Sequence, residues 1–76
     1  MRNTITAMGE ILKQRREVLG LLQPQLSDLS GVNVRTIQLI EQGKGNPGLV
    51  TLLKICDSLG LELTLKIKGT ENVLSQ

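Results

Sequence analysis

Asn33, Val34, Arg35 and Gln38 fall within six residues of one another, just after Gly31. Side chains of these types match the edges of base pairs. An arginine donates two hydrogen bonds to the N7 and O6 of guanine, a glutamine pairs with adenine, and a valine packs on the methyl of thymine. Asn33 has a second use as a helix N-cap. Catalytic chemistry has far less to draw on. There is no histidine, and no glycine-rich loop runs into Lys-Ser or Lys-Thr. The one thiol, Cys56, falls on the apolar face of a helical repeat, where it reads as core filler. The sequence therefore reads as a non-enzyme, with no cofactor and no metal site.

The elements that must hold these residues are set by apolar spacing and by breakers. Met8, Ile11, Leu12 and Leu19 recur at helical spacing, with Thr6 as the expected cap and Gly20 as the stop. A second helix, Gln23 to Ser30, has Pro24 in its first turn and is expected to turn Leu26 and Leu29 inward before Gly31 ends it. Asn33 opens a third, with Ile37 and Ile40 toward the core and its end at Gly43 or shortly after. The breakers Gly45, Asn46, Pro47 and Gly48 precede a fourth, marked by Leu49, Leu52, Leu53, Cys56 and Leu59 and ended by Gly60. The period then changes. Leu61, Leu63, Leu65 and Ile67 alternate with polar residues, which predicts a strand over 61–68. No second strand is legible, so its partner must come from another copy or another protein. The polar tail 69–76 is expected to be flexible, leaving 1–68 as a single domain.

At 76 residues without any Phe, Tyr or Trp, the core must be aliphatic and small, and a second subunit would supply further burial. The net charge of +2 permits a nucleic-acid partner without demanding one. No apolar run reaches the length of a membrane span or a signal peptide, and the expected location is the cytoplasm.

A short helix, a glycine turn and a second helix with polar, outward N-terminal residues are the parts of a helix-turn-helix. The stretch QPQLSDLSGVNVRTIQLIEQGK resembles the Cro/C1-type, phage-repressor-like helix-turn-helix family at Gln23, Leu26, Gly31, Val32, Thr36, Ile37, Ile40, Glu41 and Gly43. NPGLVTLLKICDSLGL is similar to that family's fourth-helix segment. The resemblance implies an all-α, lambda-repressor-like bundle of four to five short helices that binds double-stranded DNA as a repressor. By that resemblance Asn33, Val34, Arg35 and Gln38 read bases, and Arg16 pairs with Glu41 as a structural tie between the first and third helices. Phosphate contacts are expected from Gln23 at a helix N-terminus and from Lys44 and Asn46 beyond the recognition helix.

The ending SLGLELTLKIK is similar to the HipB-type antitoxins, which implies a homodimer paired through Leu61, Leu63, Leu65 and Ile67 on a near-palindromic operator. It also implies a HipA-like kinase toxin as partner. The competing reading is a protein-interaction module that exposes Leu22 and Leu29 and ignores DNA. Some positions depart from the family pattern. Leu22 offers no capping acceptor, Ser27 and Gly48 replace better-suited residues, and all are expected to loosen the fold locally. Lys13 and Arg15 read as a solvated basic face, and Leu39 reads as either the edge of the core, the favoured reading, or a groove contact.

Overall fold

Residues 2–65 are described by the computed structural model, in which every regular element is helical. These are α1 (Arg2–Val18), α2 (Gln23–Ser30), α3 (Val34–Glu41) and α4 (Leu49–Ser58). The expected cap at Thr6 is overturned, because α1 already runs through it from Arg2. Nothing in Asn3-Thr4-Ile5 breaks a helix, so propagation costs less than stopping, and a threonine caps only where the preceding chain leaves the helix.

The other boundaries follow their local chemistry. Gly31 ends α2 at φ +75°, a left-handed turn that lets its N–H reach the carbonyl of Ser27 at 2.9 Å. Asn33 caps α3 by accepting the Arg35 N–H at Oδ1, 2.7 Å away. The start of α2 is better fastened than Leu22 suggested. Gln25 reaches back, and its Oε1 accepts the Leu22 N–H at 2.8 Å, the reciprocal half of a capping box. Gly48 supplies no side-chain acceptor to α4.

α3 packs against α1 and α2, and α2 packs against α4. The buried core is Leu12, Leu26, Val32, Ile37, Ile40, Ile55, Cys56 and Leu59, with Leu21, Leu52 and Leu61 packed on its margin. Leu29 does not point inward and is 62% exposed. On an eight-residue helix flanked by α3 and α4, Leu26 already fills the inward position. In α4 the inward stripe is Leu52, Ile55 and Cys56, continued by Leu59 at the C-cap, which leaves Leu49, Val50 and Leu53 exposed. Ile11 and Leu19 of the α1 repeat are exposed as well. The apolar residues outnumber the places one small core can offer.

Residues 61–65 carry no strand hydrogen bonds in the single chain. Among the described residues no strand pairs with them, and Ile67 lies beyond the described residues. Leu61 packs on the core margin, whereas Leu65 is 93% exposed. Among the described residues, no helix is long and apolar enough to cross a membrane.

Candidate nucleic-acid interface

The candidate site is built on α3, whose two faces are committed differently. Ile37, Ile40 and Glu41 are buried against α1 and α2. At 3.6 residues per turn the opposite stripe carries Arg35, Gln38, Leu39 and Gln42. Arg35 and Gln42 are exposed, and Gln38 and Leu39 are half-buried. Among the described residues the Arg35 guanidinium has no side-chain partner. Its five donors remain available to an external acceptor such as a guanine edge.

The turn that aims this stripe is tied by serines. Ser27 Oγ donates to the Val32 carbonyl at 2.6 Å, and Ser30 Oγ accepts the Val32 N–H at 3.1 Å. Ser27, whose type predicts a locally looser fold, instead ties the chain across Gly31. Val32 itself is buried in the core, so the turn is held from within as well.

The inner end of α3 is fixed by a buried ion pair. Arg16 Nε and Nη2 donate to Glu41 Oε2 and Oε1 at 2.7 and 2.9 Å, a bidentate arrangement, and Nη1 donates to the Leu21 carbonyl at 2.7 Å. The bond to Glu41 holds the Arg16 pKa above the ordinary arginine value, against the opposing cost of burial. Gln23 joins the same cluster, with Nε2 donating to Glu41 Oε1 at 3.0 Å. Its amide therefore locks the N-terminus of α2 to the end of α3.

The basic run of α1 is not simply solvated. Arg15 Nε donates to the Leu59 carbonyl at 2.8 Å, closing the C-terminus of α4, and Arg16 is buried. Of the three, Lys13 alone is fully on the surface.

Lys44 and Asn46 are exposed on the loop after α3. The Lys44 N–H bonds the Leu39 carbonyl at 2.8 Å and the Gly43 N–H bonds that of Ile40 at 2.9 Å, so the loop is folded back onto the helix end. Asn33, Val34, Arg35 and Gln38 thus lie along the first two turns of α3 and Lys44 and Asn46 beyond its far end. Leu61, Leu63 and Leu65 belong to a different region. Leu61 and Leu63 line a depression of about 140 Å³ between α1 and α4, with Met8, Ile11, Leu52 and Cys56.

None of the motifs above marks Gly9, yet it is buried in α1 where a Cβ would collide with the Ile40 carbonyl oxygen and meet that of Glu41 at 3.2 Å. Only hydrogen at this position lets α1 pass so close to the end of α3. A glycine inside an apolar helical repeat, otherwise unfavourable, was the one available hint.

A family model described as Helix-turn-helix, of the Cro/C1 type, matches residues 12–66. An HTH-type transcriptional regulator of Haemophilus influenzae is 43% identical over 63 residues, which cover 83% of this chain and 64% of that protein. The chain thus spans less than two thirds of that relative. A second HTH-type regulator, from Methanothermobacter thermautotrophicus, is 34% identical over 72% of this chain and 80% of its own length. Among solved structures, the restriction-modification controller protein C.AhdI of Aeromonas hydrophila superposes with a TM-score of 0.74 at 32% identity, covering 79% of this chain and 91% of that one. With α2, the Gly31 turn and α3 in place within the matched span, this chain belongs to the Cro/C1-type helix-turn-helix family of transcriptional regulators.

Proposed function

We propose that this protein is a sequence-specific repressor that binds a near-palindromic operator upstream of its own gene as a homodimer. The observation that carries the reading is the uncommitted outward stripe of α3, where Arg35 and Gln38 stand on a helix whose other face is fully anchored. Arg35 and Gln38 read base edges, Val34 adds an apolar contact, and Asn33, with Oδ1 committed to the cap, contributes its amide N–H groups. Lys44, Asn46 and the backbone N–H groups at Gln23 set the register on phosphates.

Dimerisation is supported by the surplus of apolar surface. Ile11 and Leu63 are exposed along the α1–α4 depression and Leu53 beside Leu63 in an adjoining one, and the alternation over 61–68 is a strand pattern for which the sequence shows no second strand. Two recognition helices would then enter successive major grooves roughly 34 Å apart.

The narrower role is the antitoxin of a HipA/HipB-like pair, with a HipA-like kinase as the second partner, and it rests on the strand pattern of 61–68. The likeness to a restriction-modification controller protein favours a second setting, control of a restriction-modification operon without any toxin. Co-purification with the products of neighbouring genes separates the two: a kinase-like protein retained supports the first, a methyltransferase or endonuclease gene under operator control the second.

The primary test is fluorescence anisotropy of the full chain against DNA from upstream of its own gene, with a scrambled duplex as control and salt as the variable. Tight, salt-sensitive and selective binding is expected. Equal weak binding to both duplexes would overturn the reading in favour of a protein-interaction module.

A further inference from the structure

The first turns of α1 reach further than the core requires. Leu12 is the first core residue of the helix, yet α1 begins at Arg2, about three turns earlier. The stripe that leads back from Leu12 passes along the end of α3 and onto the loop behind it. Gly9 lies against the Ile40 and Glu41 carbonyls. One turn earlier Thr6 meets Gly43, where a Cβ would stand 3.2 Å from the Thr6 Cα and 3.1 Å from its Oγ1. Beside them Ile5 and Met8, with Ile40, line a mostly apolar depression whose other wall is Lys44, Asn46 and Pro47. Ile5, Met8 and Pro47 are half-buried there, whereas Lys44 and Asn46 are exposed. The loop has little else to hold it. The Lys44 N–H bonds the Leu39 carbonyl, but among the described residues 45–47 make no hydrogen bond.

From this placement we infer that Ile5 is a positioning residue for DNA binding, which, in a buttress with Thr6 and Met8, holds Lys44 and Asn46 at the height of the phosphate backbone. The inference rests on the phosphate contacts proposed above for those two residues. Ile5 acts through the loop and not on DNA itself. Fixing a loop costs conformational entropy, and a loop already packed against α1 has lost that freedom before DNA arrives. The Lys44 charge then stands where a phosphate passes. α3 is held separately, by the Arg16, Glu41 and Gln23 cluster. The buttress therefore bears on the phosphate contacts and leaves the aim of the recognition helix alone.

The test is a double-mutant cycle in the full chain, read by fluorescence anisotropy on duplexes selected from a random library and on scrambled controls. Ile5→Ala should weaken binding to selected and scrambled duplexes alike, by about fivefold. It should also lower the slope of log affinity against log salt by about one per subunit. Base preference across single-base variants of the selected site should not change. When Lys44→Ala and Asn46→Ala are already present, Ile5→Ala should have no further effect, because the groups it positions are gone. Ile5→Leu, which keeps the apolar contact, should bind as the wild type does, and the helical circular dichroism of every variant should match. An equal loss from Ile5→Ala in both backgrounds, no loss in either, or an altered base preference would overturn the inference and leave the DNA-binding reading standing. If Lys44→Ala with Asn46→Ala binds as tightly as the wild type, the phosphate assignment falls and the inference with it. Absence of salt-sensitive binding to any duplex would overturn the DNA-binding reading as well.

Discussion

The two faces of α3 are built from the same eight residues and treated in opposite ways. On the inner face, Glu41 has both carboxylate oxygens occupied by Arg16 and one of them also by Gln23, and Gly9 lets α1 close over the helix end. On the outer face, Arg35 is exposed with its guanidinium free among the described residues, and Leu39 is half-covered without entering the core. The difference teaches how a domain this small presents a rigid surface. Polar groups are saturated where orientation is set, and left open where an external ligand completes them.

If the inner face sets orientation, its disruption should have the largest effect. Glu41→Ala leaves the buried Arg16 guanidinium with a single carbonyl acceptor, and a broken buried pair of this kind costs about 3 kcal/mol, readable as a lowered urea midpoint. Replacing both partners with apolar residues of similar volume should cost less, because no charge is then stranded. A loss no greater than that of a surface substitution would show that the pair contributes little.

Arg35→Ala addresses the outer face and should leave urea stability unchanged. It is expected to cost about 1–3 kcal/mol of binding at one base pair only, seen as relaxed preference in a panel of single-base operator variants. Equal loss across all variants would instead assign Arg35 to phosphate.

Gly9→Ala separates packing from propensity. Alanine in mid-helix ordinarily gains up to about 1 kcal/mol over glycine, whereas overpacking against a backbone carbonyl costs about 1–3 kcal/mol. The clash should win, with a net loss of about 1–2 kcal/mol in thermal or urea unfolding. A stabilised variant would mean that α1 and α3 can separate without penalty.

The smallest effect should come from Cys56. Its burial pushes the thiol pKa above the ordinary value. The folded state therefore favours the neutral thiol. The stability this provides is complete below the unfolded thiol pKa and is lost as pH rises through the folded one. Cys56→Ala should remove that share of the alkaline loss, and the native thiol should resist alkylation until the protein unfolds.

Much of the architecture was legible because its signals are local. Gly31, Gly43 and Gly60 punctuate helices through backbone conformations that other residues reach at a cost, and Asn33 caps α3 with its own side chain. The Arg16–Glu41 pairing was implied by family resemblance across 25 positions, a separation that spacing alone could not bridge. What misled was helical phase. Leu29, Leu49 and Leu53 fit an apolar repeat as well as Ile55 does, and the choice among them depends on which neighbour fills the space first.

By itself, the sequence determined the helix boundaries after α1, the turn, and the chemistry on offer along α3, since each depends on residues within one or two helical turns. Tertiary structure alone decided that Gly9 is a contact point, that Gln23 and Arg15 are spent on internal ties, that Ser27 fastens the turn, and that Leu39 faces away from the core. These depend on how closely helices far apart in sequence approach one another. Such distances follow from the packing of the whole core, and no local pattern of residues encodes them.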